Sequence, residues 1–581
     1  MSDSSNSAAD AASAARNPRQ LAETSPRHGR RPKGDRFWTQ GEPMVWVSGG
    51  ALAAVLLAAL TMLCVVLYNG LGVFWPSRVE RVQLAEGTGF LGMRFDSHTD
   101  PQRGAQVRFK TANRELDAQR QDFRWVMQSD VVSVEYPDDV VVLERQANGD
   151  FYGVLLGLRA PGLELPENGD PAKRLQRALR AIAVQRAERL DPLLDRISAV
   201  TDERNRVEVA QLKIAYRKQQ AEARTPPDAN AIELLDGQLK EFGAEAASLQ
   251  GQSERLVSER TAAEAKLREN VAVFHDGQGI ERTIALIDVV RAFQPNAMGV
   301  AGKVGHYLAK IWELLSTPPR EANTEGGVLP AIFGTVALIL LMALSSFPLG
   351  VLAGVYLGEY ARDGVFVRLV RIGVNNLAGI PSIVYGIFGC GFFINYLGSH
   401  IDHSLYAYRL SKGPVFGTGG VLWAALTLGL LTVPVVIVAT EEAIRVIPRS
   451  IRESSFALGS TKFQTLFRVI LPLASPGILT GFILAMARAA GEVAPLMLTG
   501  VVNSAATLPL DGKFPFLHLE RQFMHLGFQI YSVGFQSPNS EAARPMVYVI
   551  TLLLILIVLV LSSAAIYLRN RMRKTLQIKT I

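Results

Sequence analysis

Six stretches of this chain contain no Asp, Glu, Lys or Arg: Pro43 to Ser77, Leu329 to Gly358, Ile372 to Ser399, Gly413 to Thr440, Val469 to Ala487 and Pro545 to Leu568. A helix crossing the hydrocarbon core of a bilayer needs roughly 20 apolar residues, so each is a candidate membrane span. The apolar core of the first is too long for a signal peptide and no small-residue cleavage site follows it, so residues 44–69 read as an uncleaved anchor.

The remainder is a different material. Of the 581 residues 49% are hydrophobic, yet 19% are charged, which excludes both a wholly disordered chain and one that is membrane from end to end. A net charge of +7 raises the question of nucleic acid. The positions of the basic residues answer it. Arg27, Arg30, Arg31, Lys33 and Arg36 precede the first span, and Arg569, Arg571, Arg573 and Lys574 follow the last. Short flanks rich in Lys and Arg resist translocation, so both termini are expected in the cytoplasm, and no nucleic-acid partner is needed. An even number of spans agrees, and it makes the loops Glu359 to Arg371 and Glu441 to Arg468 cytoplasmic and places residues 70–328 outside the cytoplasm. The two cysteines, Cys64 and Cys390, lie in apolar runs, and the eight histidines show no metal-ligand spacing.

Within 70–170, β-prone runs such as Val131 to Tyr136 alternate with turn signals such as Asn148-Gly149-Asp150, which predicts a small β-rich unit. From Pro171 the composition shifts to Ala, Leu, Arg, Glu and Gln. Leu235, Leu239, Phe242, Ala246, Leu249, Ser253, Leu256, Arg260, Ala263 and Leu267 repeat with spacing 4,3, a heptad seam. Pieces of a similar stripe (Leu175, Leu179, Ile182; Leu190, Leu194, Ile197) lie upstream of Thr225-Pro226-Pro227-Asp228, so 171–275 is expected to be an antiparallel coiled-coil hairpin, each arm about 60 Å long. Residues 276–328 read as a linker to the core.

The segment Glu453-Ser454-Ser455-Phe456-Ala457-Leu458-Gly459, continuing to Val469-Ile470-Leu471-Pro472, reads as a short amphipathic helix, a glycine bend and a second helix entering the membrane. Phe456, Leu458, Phe463 and Leu466 are expected to be exposed and to fit a groove on a soluble partner. This run resembles the coupling loop of ABC importer permeases: Glu453, Gly459, Leu471 and Pro472 hold that pattern, with Ser454 and Ser455 in place of two alanines and Val469 in place of isoleucine. In that family the loop docks into an ATP-binding subunit. The Gly-Lys pairs at 302–303 and 512–513 are followed by Val304 and Phe514, so no phosphate-binding loop with its Ser or Thr occurs here. The ATPase is therefore expected to be another chain.

Further stretches, Pro319 to Gly327, Gly379 to Gly386 and Ala487 to Leu496, resemble the PstA-type permease of phosphate importers. The resemblance covers about 280–568 and the first span, and leaves the β-rich unit and hairpin as an enlargement. It implies an all-α polytopic fold of six transmembrane helices, the type I ABC importer fold, with the permease domain over 329–568 and its cytoplasmic coupling loop over 441–468. Segments 1–43 and 569–581 are then basic cytoplasmic tails, the first expected to be disordered. The resemblance also implies a second homologous permease subunit, an ATPase dimer and a periplasmic phosphate-binding protein. No cofactor is expected on this chain, because ATP and Mg belong to a partner, and no enzymatic site is expected either.

Arg488 and Glu492 are the one ionisable pair well inside an apolar span, four residues apart. Charge within a membrane is costly enough that a functional role is the default, and an arginine can offer paired donors to two oxygens of phosphate. Arg488 is the candidate anion contact and Glu492 the residue that holds it. The pair could instead only fix helix packing. Asn375, Asn376 and Tyr385 could donate to the anion or bond to a neighbouring helix. Other open readings are a permease for sulfate, molybdate or phosphonate, and a membrane-anchored sensor or scaffold.

Overall fold

The computed structural model describes residues 42–100, 104–112, 123–163, 170–505, 507–512, 516–537 and 540–578. The basic segment 1–41 therefore lies outside the described residues. The chain divides into two compact units, Met1–Val65 and Val66–Ile581. Helix α1 (Glu42–Gly72) is apolar all round and exposed along nearly its whole length, the pattern of a helix that faces lipid.

Among the described residues ten strands form two five-stranded antiparallel sheets: β1 (Glu80–Leu84), β2 (Gly89–Asp100), β3 (Gly104–Lys110), β4 (Phe123–Met127), β5 (Val131–Glu135), β6 (Val140–Arg145), β7 (Phe151–Arg159), β8 (Val271–His275), β9 (Glu281–Ala285) and β10 (Val289–Phe293). The first sheet has the order β4-β3-β2-β1-β5 and the second β10-β6-β7-β8-β9. Every residue of β6 is buried, which its unbroken Val-Val-Val-Leu run reflects. Val141 and Leu143 face a core shared with Leu175, Ala178 and Ile182, while Val140 and Val142 face one shared with Val79, Leu91 and Tyr152. The expected linker over 276–328 is thus partly sheet, because β9 and β10 lie within 281–293, and β8 takes the last residues of the expected hairpin. The helices between Arg159 and Val271 leave and rejoin neighbouring strands whose ends pair directly.

Those helices are not the two-armed hairpin expected over 171–275. Helix α2 (Pro171–Arg189) packs Leu175, Ala178 and Ile182 onto the second sheet and ends before Asp191-Pro192. Pro192 sits in the first turn of α3 (Asp191–Glu222), where its missing N–H costs nothing. The long pair is therefore α3 with α4 (Ala229–Arg268), whose 40 residues give about 60 Å. They run antiparallel, with Arg204 donating to Gln250 at 2.7 Å and Lys218 to Asp236 at 2.6 Å. All ten seam residues from Leu235 to Leu267 are half-buried or buried. Asp228 caps α4 by accepting from the Ala231 N–H. Lys213 lies over the Tyr408 ring and Glu208 pairs with Lys412, so α3 leans on the turn at 407–412.

Helix α5 (Val300–Ser316) and a tight turn at 319–326 lead into α6. Among the described residues six helices are long and apolar enough to cross a membrane. After α1 these are α6 (Leu329–Tyr360), α8 (Ser382–Leu405), α9 (Val421–Arg445), α11 (Lys462–Gly491) and the stretch Ala543–Lys574 of α12 (Ser540–Ile578). Two further helices are α7 (Val365–Ala378) and α10 (Arg449–Ala457). The third span is shifted from the charge-free run at 372–399. Pro381 disfavours helix at Ile380, so the chain breaks there and α7 stays outside the span. The span then takes in Asp402, whose buried carboxylate accepts the N–H groups of Val415, Phe416 and Gly417 at 2.7–2.9 Å. Helix α9 is central, and α6 closes onto it at Gly354, where a Cβ would stand 2.5 Å from that of Thr440.

Charged groups join the second sheet to the entry of α6. Lys310 sits 2.7 Å from Glu144, and Glu313 receives Arg291 at 3.2 Å and Arg320 at 2.5 Å. In the same turn burial, with Asp150 close by, pushes Glu325 up to about 7 from an ordinary 4.5. A carboxyl raised in this way favours the fold below pH 4.5 and has lost that advantage once pH passes 7. Glu325→Gln keeps the neutral form at every pH. Its stability gain over the wild type should be near zero at pH 4 and grow towards about 3 kcal/mol at pH 8, read from thermal midpoints in detergent.

Candidate functional site

The loop after α9 is built from both ends. Helix α10 starts after Pro448 and ends at Leu458. Gly459 follows with φ +82°, its N–H donating to the Phe456 carbonyl, while the Ser460 N–H reaches the Ser455 carbonyl. This pair of bonds closes a helix in a Schellman turn, which places a left-handed residue where Gly459 stands. Open space surrounds the position a Cβ would take, so conformation alone calls for glycine there. Thr461 and Gln464 then exchange side-chain and backbone bonds at 3.2 and 3.0 Å, a capping box that starts α11.

One face of this loop is fixed to the spans. Leu466, Ile470, Ile447 and Ile444 form an apolar cluster with Val355, so Leu466 is buried, not exposed as expected. Arg452 pairs with Glu359 at 3.1 Å and donates to the Ile447 and Ile444 carbonyls at 2.6 and 2.9 Å. It thereby adds a side-chain donor to carbonyls at and just past the end of α9. Arg371 on α7 reaches Glu441 at 2.8 Å, which ties that helix to the same region. The other face is bare: Phe456, Leu458, Phe463 and Phe467 are exposed, the rings of the last two tilted against each other with centroids 4.4 Å apart. Glu453 and Ser454 are exposed beside them, and Val469, Leu471 and Pro472 are half-buried where the chain enters the membrane.

Ser455, one of the departures from the alanine pattern, has a partner. Its hydroxyl meets that of Thr465 at 2.9 Å in a buried contact between the two helical pieces. Sequence reasoning missed both this pair and Arg452. Neither has a local signal, since the first partner lies ten residues on and the second role is read only by distant carbonyls.

At the other end of α11 the helix stops at Gly491, and Glu492 is already extended, with ψ 128°. The two charges are therefore not on one continuous helix, yet they meet: Arg488 Nε lies 3.5 Å from a Glu492 oxygen. The side chains are 36% and 20% exposed, next to the buried Ala489 and Ala490. Tyr385 donates to the Leu377 carbonyl across the break before α8.

Residues 346–574 match the family described as "Binding-protein-dependent transport system inner membrane component". The probable ABC transporter permease protein YqgI of Bacillus subtilis is 31% identical over 40% of this chain and 74% of its own length. The chain belongs to this family of ABC transporter permeases. It is an integral inner-membrane protein with six spans, a transport component and not an enzyme, and this membership displaces the reading as an anchored sensor or scaffold. The permease is also similar to the phosphate transport system permease protein PstA of Mycobacterium leprae, at 37% identity over 33% of this chain and 58% of that one. PstA 1 of Mycobacterium tuberculosis (strain CDC 1551 / Oshkosh) matches at 39% over 31% of this chain and 53% of that one. The permease thus spans little more than half the length of these two relatives. The two sheets and the α3–α4 pair precede the family match.

Proposed function

We propose that this permease is one half of the translocation pathway of an ATP-driven importer of inorganic phosphate. The observation that carries the reading is the likeness to PstA proteins over the membrane domain. The Arg488–Glu492 pair supports it. A contact of 3.5 Å is loose for an ion pair, and a phosphate oxygen could take the place of the Glu492 carboxylate on the guanidinium. Glu492 would hold the arginine between passages and keep the site from binding phosphate so tightly that release is slow. Asn375, Asn376 and Tyr385 remain secondary candidates.

The exposed Phe456, Leu458, Phe463 and Phe467 face, with Glu453 and Ser454, docks into a groove of an ATPase subunit. Ser455, Gly459, Val469, Leu471 and Pro472 hold that face on the end of the span. The full assembly contains a second homologous permease, an ATPase dimer that uses ATP and Mg, and a periplasmic phosphate-binding protein. This chain itself holds no cofactor. The coupling loop and both termini lie in the cytoplasm, and residues 70–328 in the periplasm. The sheet unit takes in 80–159 together with 271–293, and the α3–α4 pair is a coiled coil that serves as a periplasmic arm.

Sulfate, molybdate and phosphonate present similar oxygens to one arginine, so specificity is the point to test. Uptake of labelled phosphate should be suppressed by unlabelled phosphate and unaffected by a hundredfold excess of the other anions. Equal competition by any of them would assign the permease to that anion.

A further inference from the structure

Helix α5 has two faces of opposite character. His306, Glu313 and Leu314 are buried, and Lys310 and Glu313 bind Glu144, Arg291 and Arg320, which fixes this face to the second sheet and the turn before α6. Val300, Val304, Leu308, Trp312 and Leu315, one turn apart in succession, form a bare stripe. Val300, Leu308 and Trp312 are 74%, 59% and 72% exposed. Such a row on a helix of 17 residues calls for an apolar neighbour.

The neighbour is indicated by where α5 lies. Tyr307 meets the Trp75 ring at 6.3 Å and Lys303 donates to the Pro76 carbonyl, both just past the end of α1 at Gly72. At the other end the Val328 N–H bonds to the Leu314 carbonyl, one residue before α6 begins. The helix is thus pinned at the level where one span ends and the next begins. Trp75, Tyr307 and Trp312 gather there, the residue types that favour the boundary between headgroups and acyl chains. The Glu359–Arg452 bond marks the opposite end of α6, so α5 and the coupling loop serve opposite membrane faces.

We propose that α5 is an interfacial helix whose Val304–Leu308–Trp312 face lies in the lipid surface. It binds the bilayer through this stripe and the sheet unit through its charged face, so it holds the sheets at a fixed height over the membrane. The occupant is lipid, not a second protein, because α5 is held by the residues that follow one span and the residue that precedes the next, where the chain leaves and re-enters the membrane.

The test places a nitroxide at Leu308→Cys, and separately at Val304→Cys, in the full chain with Cys64 and Cys390 replaced by alanine, assembled with its partners in proteoliposomes. Both positions are exposed, so the label displaces nothing. Collision rates are read with oxygen, which concentrates in lipid, and with a nickel chelate, which stays in water. Leu57→Cys in α1 and Val132→Cys in β5 serve as lipid and water references, both exposed apolar positions. The oxygen-to-nickel ratio at 308 should exceed that at 132 several-fold and approach that at 57. A ratio equal to that at 132 would place the stripe in water and overturn the proposal. Low collision with both reagents would also overturn it and assign the stripe to a protein partner.

Discussion

Replacing Glu453 with alanine should leave the permease folded and the assembled ATPase active, while phosphate uptake per ATP hydrolysed falls at least tenfold. The side chain is exposed, and exposed substitutions away from special features usually shift stability by within about 0.5 kcal/mol, so a large functional loss would come from the docking contact. Deleting Gly459 should uncouple more severely. It removes the left-handed residue that closes α10 and shifts Phe456 and Leu458 relative to Phe463 and Phe467. ATP hydrolysis and labelled uptake measured on the same proteoliposomes separate coupling from assembly. Normal uptake in either variant would remove the coupling assignment.

Arg488→Gln should lower phosphate uptake by roughly ten- to a hundredfold. Hydrogen bonds to a charged group contribute about 1.5–3 kcal/mol, and each tenfold corresponds to about 1.4 kcal/mol. The effect should appear as a raised KM or a lowered maximal rate in a complex that still assembles. If the pair with Glu492 only fixes helix packing, the variant would instead lose thermal stability and keep wild-type uptake once assembled. Glu492→Gln discriminates further. Removing the internal carboxylate leaves Arg488 for the anion alone, so phosphate should bind more tightly and leave more slowly.

What the sequence revealed follows from the range of the forces involved. Spans are legible because twenty apolar residues without charge have one destination, and the glycine bend because a left-handed residue closes a helix locally. The second sheet is not, because β7 and β8 pair across the whole helical insertion and nothing near Arg159 announces Val271 as its partner. A helical stripe is equally ambiguous: Leu175, Leu179 and Ile182 show the periodicity of a hairpin arm, but the surface that covers them is a sheet. The third span is shifted from the charge-free run because absence of charge is only a proxy for burial. Pro381 breaks the run at one end, and three backbone N–H groups allow Asp402 into the helix at the other. At the site, the glycine and the charge pair were visible, whereas Arg452 and the Ser455–Thr465 contact depend on chain crossings that only the fold supplies.

The central claim is that this chain couples a separate ATPase to the passage of phosphate. The most direct measurement is accumulation of labelled phosphate in proteoliposomes carrying the assembled complex, with the binding protein and ATP each on its own side. Accumulation should run against a gradient, need ATP and the binding protein, and persist in excess sulfate. Passage that equilibrates without ATP, or accumulation abolished by sulfate, would contradict it.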